Sequence, residues 1–282
     1  MNIEQARSFL TVADTGSFVA AAERLHVTQS TISARIRTLE ETLGSTLFIR
    51  SKAGAVPTRA GVRFRAYAVQ IVRAFERARR EIGLPDEIRA QISIGARFGL
   101  WDGDVVAWLV HQRQERPEIS FRAEIAFEPE LMQGLIDGQL DIGIMYTPQR
   151  RPNLEQVPFI TDRLKLISSD PVPSKSPDRY IHIEWVPEFD AQLAGEFPAS
   201  AGTLISVNIG WLGLQYLKTT GGWGYFPERF VRPQLETGEF HIVEDAPVFD
   251  LPSWLVVRDD RDHSLIDPMM NGLLEVARRS ML

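Results

Sequence analysis

The sequence of 282 residues contains no cysteine, which excludes disulfide bonds, thiolate metal sites and cysteine nucleophiles. No stretch approaches the roughly 18 uninterrupted apolar residues of a transmembrane helix. The first ten residues also lack the basic, apolar and small-residue succession of a signal peptide. These absences predict a cytoplasmic protein with no membrane partner.

Signatures of catalysis and of cofactor binding are equally scarce. The five histidines are scattered, without the HExxH spacing of a zinc site. Gly221, Gly222 and Gly224 fit neither a phosphate-binding loop nor a dinucleotide fingerprint, because no lysine follows them. We therefore predict that the protein is not an enzyme and has no catalytic residues, no metal site and no cofactor.

Charge is distributed unevenly along a chain whose overall composition is that of a folded protein. Hydrophobic residues make up 44% and charged residues 24%, close to globular averages. Residues 1–82 carry 13 Lys and Arg against 7 Asp and Glu, a net charge of +6, whereas the remainder carries −12. A basic N-terminal part suits contact with phosphates, and an acidic body resists lying flat on DNA.

The N-terminal pattern predicts three short helices. Apolar residues recur at helical spacing in the first segment, and Gly16 ends it. Ser17 is a candidate N-cap of a second helix, and Thr28 is a candidate N-cap of a third that runs to about Leu43 and stops at Gly44. Three helices joined by such brief turns form a helix-turn-helix unit.

The third helix has two distinct faces. Apolar residues form one stripe at steps of three and four: Ile32, Ile36, Leu39 and Leu43. Small, polar and basic residues lie opposite: Ser30, Ser33, Ala34 and Arg37. We expect the stripe to pack on the first two helices and the other face to enter a DNA major groove, about 12 Å wide. Glu40 and Glu41 are expected to be solvated.

A hairpin and a long helix follow. Two short apolar runs, Leu47 to Ile49 and around Val56, flank a basic turn and predict a wing. The long helix begins near Thr58 and ends before Gly83 and Pro85. Its apolar residues alternate at spacings of 4 and 3: Phe64, Ala68, Ile71, Phe75, Ala78 and Ile82. This pattern favours a coiled-coil seam between two chains, and the alternative is an amphipathic helix packed on its own domain.

Beyond residue 85 the pattern alternates between strands and helices. The segments QISIGA, ISFRAEIAF and LDIGIMY are strand candidates, separated by two helix candidates. This order predicts a parallel sheet with crossover helices, and a ligand site beyond the carboxyl ends of the strands. We expect three regions: a DNA-binding domain at 1–58, a linker and dimerisation helix with a hinge at 59–89, and an α/β domain at 90–282.

The N-terminal part of the chain also carries a more specific pattern: Gly16, Ser17, Phe18, Ala21, Ala22 and Leu25, then HVTQSTISARIRTLE and LGSTLFIRSKAGAVPTRAG. This pattern resembles the signature of LysR-type transcriptional regulators. The resemblance continues more weakly through QISIGA, LIDGQLDIGI, PFITDRLKLISS and GGWGYFPERFV. It implies a winged helix-turn-helix, a linker helix and an effector domain of periplasmic-binding-protein type, in which crossing strands join two subdomains around a cleft.

The resemblance also implies roles for individual residues. Positions that face bases and backbone in this family match Gln29, Ser30, Ser33 and Arg37. Positions that touch phosphates match Ser17, Thr31, Arg35, Arg50 and Thr58, and Lys52 lies beside them in the wing. On residue chemistry alone, Arg37 is the best base reader or close phosphate contact, and the alternative is that it only keeps the helix face solvated.

For the effector cleft the candidates are Arg97, Phe98, Gly99, Phe127, Met145, Tyr146, Thr147, Asn208 and Trp223. Many family members have a Ser or Thr just after the first strand of the effector domain, where this sequence has Arg97 and Gly99. Arg97 either holds an anion by charge-assisted hydrogen bonds or pairs with Asp102 or Asp104. The aromatic candidates either contact a ligand or pack in the core.

We therefore expect a sequence-specific transcriptional regulator. Its expected partners are double-stranded DNA with an imperfect palindromic operator, a small-molecule effector and further copies of the chain, as a homodimer or homotetramer. RNA polymerase is a further candidate partner. The alternatives are a regulator with a degenerate, effector-free cleft, a solute-binding protein, and an enzyme with hydrolase or transferase chemistry in the α/β domain.

Overall fold

A computed structural model of the chain describes residues 1–51, 54–101, 103–171, 177–196 and 205–280. Contacts divide the chain into two units, the first with Met1–Glu87 and Ile136–Gln139, and the second with Ile88–Leu135 and the chain from Leu140 onward. This division falls close to the predicted break before Pro85. None of the described helices combines the length and the apolar character that a membrane span requires.

The first unit contains four helices and a two-stranded hairpin. The elements are α1 (Ile3–Thr15), α2 (Phe18–Arg24), α3 (Gln29–Leu43), β1 (Phe48–Ser51), β2 (Gly54–Pro57) and α4 (Arg59–Glu81). β1 and β2 pair antiparallel. The three predicted helices, the wing and the long helix are therefore confirmed.

The helices of the first unit begin and end at the predicted residues. The side chains of Ser17 and Thr28 accept hydrogen bonds from the backbone N–H groups of the first turns of α2 and α3. Such a cap satisfies an N–H group that has no partner inside the helix. Gly16 and Gly44 follow α1 and α3 with φ of 65° and 61°, in the left-handed region that glycine tolerates best.

The inner face of α3 is sealed in the core of the first unit. Ile32, Ile36 and Leu39 are fully buried and lie in one hydrophobic cluster with Phe9 of α1. Burying each such side chain stabilises the fold by about 1.5–3 kcal/mol. Leu43 is 40% exposed, so the predicted stripe is one residue too long, because α3 ends there.

Three hydrogen bonds fasten the wing to the helices. Glu40 on α3 accepts hydrogen bonds from the N–H groups of Leu47 at 2.7 Å and Phe48 at 3.3 Å. The expectation that Glu40 is only solvated is therefore wrong. The N–H of Ala55 on β2 donates to the carbonyl oxygen of Gly16 at 2.7 Å. The wing is thus held both at its base and against the turn between α1 and α2.

The seam predicted for α4 divides into two faces. Phe64 and Ala68 are buried within the first unit, where Phe64 packs edge-on against Phe9. For these two residues the coiled-coil interpretation is wrong, because α1 already covers them. Phe75 and Ile82 further along are 44% and 85% exposed, so the unit covers the second half of the seam only in part, with Arg7 of α1 over the Phe75 ring.

The second unit contains nine strands, six α-helices and two short 3-10 helices among its described residues. The strands are β3 (Ala90–Ala96), β4 (Ile119–Ile125), β5 (Ile142–Met145), β6 (Leu154–Ser168), β7 (Ile181–Ile183), β8 (Ile205–Val207), β9 (Trp223–Pro227), β10 (His241–Ile242) and β11 (Phe249–Arg258). The helices are α5 (Gly103–Glu115), α6 (Glu128–Asp137), α7 (Pro187–Glu196), α8 (Gly210–Thr220), α9 (Glu228–Glu236) and α10 (His263–Ser280).

The main sheet is mixed and not purely parallel. Its strand order is β10-β6-β11-β5-β3-β4, and β9 also pairs with β6. β3 runs parallel to β4 and β5, as predicted. β7 and β8 form a separate two-stranded parallel sheet. The pairs that involve β6 and β11 are antiparallel, because these two strands cross the unit in opposite directions.

The crossing strands divide the second unit into two halves. The pairing of β6 with β11 shifts register between Pro252 and Trp254. On one side of the shift β11 also pairs with β5, and on the other side β6 also pairs with β9. We call the elements on the β5 side (β3, β4, β5, α5, α6 and α10) the first half, and those on the β9 side (β7 to β10 and α7 to α9) the second half.

Substitution of Gly61 by alanine tests how closely α4 packs beside the wing. A Cβ at this position would lie 2.3 Å from the carbonyl oxygen of Leu47, so Gly61→Ala forces the backbone to shift. We expect a loss of about 1–3 kcal/mol in the stability of the first unit. The measurement is urea unfolding followed by far-UV circular dichroism.

Gly83→Ala is the matched control, because a Cβ there meets nothing within 4 Å. It should not lower stability, since alanine restricts the unfolded chain more than glycine does. Equal stability of the two variants would contradict the packing described for α4. All six tryptophans lie in the second unit, so an effect on tryptophan fluorescence would also contradict it.

Candidate DNA interface and effector cavity

The outer face of α3 presents small, polar and basic side chains to solvent. Gln29, Ser30 and Arg37 are exposed, and Ser33 is half-buried. Arg37 makes no hydrogen bond or ion pair within the part of the chain that the structure describes. A guanidinium group with five unused donors on a convex helix suits bidentate contact with guanine or with a phosphate.

Three hydroxyl residues predicted to touch phosphates have local structural roles. The hydroxyl oxygen of Ser17 accepts a hydrogen bond from the N–H of Ala20, and this cap does not use the hydroxyl proton. Thr31 shares a hydrogen bond with the capping hydroxyl of Thr28 at 2.8 Å. Thr58 accepts from the N–H of Gly61, and it donates its proton to the carbonyl oxygen of Thr46 at 2.7 Å.

The basic residues predicted to touch phosphates differ in their surroundings. Arg35 is half-buried and forms an ion pair with Glu4 of α1 at 3.2 Å. Arg50 is exposed, and its guanidinium lies 4.0 Å from the centre of the Phe18 ring. This stacking holds the Arg50 charge at the edge of the wing. Lys52 lies outside the described residues.

The second unit contains a cavity of about 220 Å³ between its two halves. The lining residues from the first half are Arg97, Phe98, Gly99, Ile125, Ala126, Phe127 and Tyr146, and those from the second half are Trp185, Asn208, Ile209 and Gly210. Six of these residues were predicted from the sequence: Arg97, Phe98, Gly99, Phe127, Tyr146 and Asn208. The cavity lies at the carboxyl ends of β3 and β4 and at the start of α8, the position expected for a ligand site in an α/β fold.

The other three predicted cavity residues are not among those that line this cavity. Met145 is fully buried and packs with Leu131 and Leu135, because neighbouring residues at the end of a strand point to opposite faces. Thr147 lines a different, more open cavity of about 640 Å³. Trp223 is 1% exposed and stacks in the core of the second half on Tyr180.

Arg97 is already paired in this structure. Its guanidinium lies 3.3 Å from a carboxylate oxygen of Glu128 at the start of α6, and 4.5 Å from the centre of the Phe127 ring. The ion-pair alternative therefore describes the geometry, with Glu128 as a carboxylate partner that the sequence did not indicate. Of the two predicted aspartates, Asp102 lies outside the described residues. The other oxygen of Glu128 is buried and has no hydrogen-bond partner among the described residues.

Sequence reasoning missed a buried polar cluster that adjoins the cavity. Asp162 on β6 is 2% exposed, forms an ion pair with Arg229 at the start of α9, and accepts a hydrogen bond from the hydroxyl of Tyr146 at 3.0 Å. Burial raises the pKa of Asp162 to about 7, and the hydrogen bond from Tyr146 lowers it. Burial also lowers the pKa of Arg229 to about 10. Asp162 and Arg229 lie in the family-like segments PFITDRLKLISS and GGWGYFPERFV, but no sequence signal predicts that they pair, because they are far apart along the chain.

Comparison with known proteins assigns both units to one family. Residues 3–62 match the model described as bacterial regulatory helix-turn-helix protein, lysR family, and residues 85–184 match the LysR substrate binding domain. The HTH-type transcriptional regulator HdfR of Yersinia enterocolitica is 30% identical over all of this chain and 99% of its own length. HdfR of Salmonella schwarzengrund is 31% identical over 94% of this chain and 96% of its own length.

The chain therefore belongs to the LysR family of transcriptional regulators, which bind DNA and carry an effector-binding domain. Two solved structures share the fold. ArgP from Mycobacterium tuberculosis superposes with a TM-score of 0.59 at 23% identity, covering 97% of this chain and 96% of that one. LysG from Corynebacterium glutamicum, solved with bound effector Arg, gives a TM-score of 0.59 at 20% identity, covering 99% of both chains.

Tyr146→Phe tests the hydrogen bond at the cavity wall. The variant leaves the buried carboxylate of Asp162 with one donor fewer, which should cost about 1–3 kcal/mol of stability when Asp162 is ionised. The loss should be larger at pH 8, above the Asp162 pKa of about 7, than at pH 5.5. Below its pKa the carboxyl group of the folded protein is neutral and needs the hydrogen bond less.

The measurement is urea unfolding followed by tryptophan fluorescence at both pH values. Tyr216→Phe is the control, because Tyr216 is 39% exposed; this variant should match the parent protein at both pH values. A Tyr146→Phe loss that is larger at pH 5.5 would contradict the assigned donor and acceptor.

Proposed function

We propose that α3 enters a DNA major groove and that Gln29, Ser30, Ser33 and Arg37 contact base edges and nearby backbone. The observation that carries this proposal is the sealed inner face of α3, which leaves the opposite, hydrophilic face free for DNA. The net charge of +6 on residues 1–82 adds a favourable, salt-dependent attraction to phosphates.

The surroundings of each candidate residue decide how well the structure supports it as a phosphate contact. Arg50 at the edge of the wing and Ser17, whose proton is unused in the cap, are the best supported. Arg35 can contact a phosphate in addition to its ion pair with Glu4. Thr31 remains a candidate by resemblance, and Lys52 remains one as a basic residue of the wing sequence. Thr58 is the weakest candidate, because its proton is already donated to the Thr46 carbonyl oxygen.

The active form that we propose is a homodimer, or a homotetramer built from dimers. The exposed part of the α4 seam supports it, because Phe75 and Ile82 leave apolar surface in water. A two-fold dimer presents two copies of α3 and calls for an imperfect palindrome with half-sites about 34–36 Å apart or a multiple of that distance. We propose that the protein acts in the cytoplasm, contacts RNA polymerase there and has no catalytic turnover.

We propose that the cavity of about 220 Å³ binds a small metabolite as effector. Most of its wall is aromatic or aliphatic, and a few polar groups converge on it, as is typical of ligand sites. At the position where many family members have a hydroxyl residue, a Cβ on Gly99 would lie 3.3 Å from the Tyr146 hydroxyl oxygen. Tyr146 thus supplies a hydroxyl group close to the place of the missing one.

One observation favours the alternative of an effector-free cavity: the Arg97 charge is already balanced by Glu128. The two functions differ in ligand-induced stability, because a ligand that binds only the folded protein raises its melting temperature. With a panel of amino acids and small organic acids, we expect at least one compound to raise the melting temperature of the full chain.

Ala126→Leu is the matched variant for this panel, because Ala126 lines the cavity and a larger side chain would reduce its volume. The melting shift should be lost in this variant. No shift with any compound, or an equal shift in the variant, would favour the effector-free alternative.

Arg37→Ala tests the DNA interface directly. We expect binding to the DNA upstream of the protein's own gene to weaken by about 1–3 kcal/mol, since a bidentate contact with guanine contributes that much discrimination. Ser33→Ala should weaken binding by less, because a single hydroxyl is lost. The measurement is an electrophoretic mobility shift assay at several salt concentrations.

Thr42→Ala is the control for this assay, because Thr42 is exposed near the C-terminal end of α3 and its hydroxyl donates to the helix itself. It should bind like the parent protein. If Arg37 contacts a phosphate and not a base, the salt dependence becomes shallower and specificity is retained. Unchanged affinity and selectivity of both Arg37→Ala and Ser33→Ala would show that the recognition-helix assignment is wrong.

A further inference from the structure

A buried ion pair lies where the two halves of the second unit meet. Asp162 is on β6, one residue beyond Thr161, which pairs with Pro252 at the register shift. The Nη2 of Arg229 donates to Asp162 Oδ2 at 2.9 Å, and its Nε donates to Oδ1. The side chains of Arg229 and Asp162 are only 10% and 1% exposed, so the pair is held away from water.

Two hydrogen bonds lead from this pair into the first half. Arg229 Nη2 also donates to the carbonyl oxygen of Gly99 at 2.8 Å. The hydroxyl of Tyr146 donates to Asp162 Oδ2 at 3.0 Å. Gly99 and Tyr146 both line the cavity. Each member of the ion pair is therefore bonded to a different part of the cavity wall.

We propose that Arg229 and Asp162 are positioning residues of the cavity, which act through Gly99 and Tyr146 to latch the two halves together. The proposal rests on the proposed function only in taking this cavity as the effector site. A ligand that displaces the Gly99 carbonyl or the Tyr146 hydroxyl breaks one bond of the latch. Its binding is then coupled to the arrangement of the halves, because it favours the unlatched state.

The hydrogen bonds of the latch require arginine at position 229, and they restrict which hydrogen-bonding groups a ligand can bring. Arg229 contacts both oxygens of one carboxylate and a carbonyl group on another chain segment, which the planar fork of a guanidinium can do and the point charge of an ammonium group cannot. Tyr146 gives its proton to Asp162, so its oxygen faces a ligand only as an acceptor. The wall therefore suits a ligand that brings an N–H or O–H donor to Tyr146.

The test is hydrogen–deuterium exchange of the full-length protein without ligand or DNA. Arg229→Lys keeps the charge but loses the fork, and Asp162→Asn keeps the shape but loses the charge. The amides of Arg97, Leu100 and Trp101 are hydrogen-bonded in the parent protein, so their opening can be followed. We expect both variants to speed exchange in the segment 97–101 by about tenfold or more, while exchange in α5 stays unchanged.

Glu228→Gln is the matched control. Glu228 is next to Arg229 and pairs with Lys165 of β6 at 2.9 Å, but this ion pair is more exposed and involves no residue of the first half. It should leave exchange in 97–101 unchanged. The same response to Glu228→Gln as to Arg229→Lys would mean that disturbing any ion pair at the start of α9 has this effect, which overturns the latch.

Two further outcomes overturn the proposal. Unchanged exchange in 97–101 shows that the pair does not hold the cavity wall, and faster exchange throughout the second unit shows that it only stabilises the fold. If Arg229→Lys fails to fold, the near-isosteric Asp162→Asn carries the test alone. Because the readout needs neither DNA nor effector, a failed latch leaves the proposed function intact, and a failure of DNA binding leaves the exchange result readable.

Discussion

The structure of the DNA-binding unit depends on the burial of Ile32, Ile36 and Leu39 along one side of α3. Their position fixes the rotation of the helix about its own axis, because any other rotation would expose three large aliphatic side chains. With that rotation set, Arg37 and its polar neighbours face outward. The core thus determines the orientation of this surface. The capping residues and the wing hold α3 in place, and the net positive charge attracts DNA phosphates.

Much of this unit could be predicted from the sequence, because its signals are local. The hydroxyls of Ser17 and Thr28 mark the starts of helices, and Gly16 and Gly44 mark the ends. Each of these residues is directly next to the helix that it delimits. The errors arose where a residue has a partner distant in sequence. Phe64 was assigned to a seam between chains, whereas Phe9, far earlier in the chain, already covers it.

The second unit was less predictable for the same physical reason. The alternating strands and helices of its first half are regular, but β6 and β11 pair across about ninety residues of sequence and turn a parallel sheet into a mixed one. Strand ends and resemblance predict six cavity residues. Nothing local predicts that Trp185 reaches the cavity, or that Asp162 and Arg229, each in a family-like segment, pair with one another. An error of one residue decides such a prediction, because neighbouring residues of a strand point to opposite faces. Tyr146 lines the cavity, whereas Met145 is buried in the core.

We propose that α3 reads DNA from the major groove through its outward face. The most direct measurement is a methylation-protection experiment, in which the full-length protein is bound to the DNA upstream of its own gene and the reactivity of guanine N7, a major-groove atom, is mapped. We expect protected guanines in two clusters, about one helical turn or a multiple of it apart. Specific binding that leaves every guanine N7 reactive would contradict it.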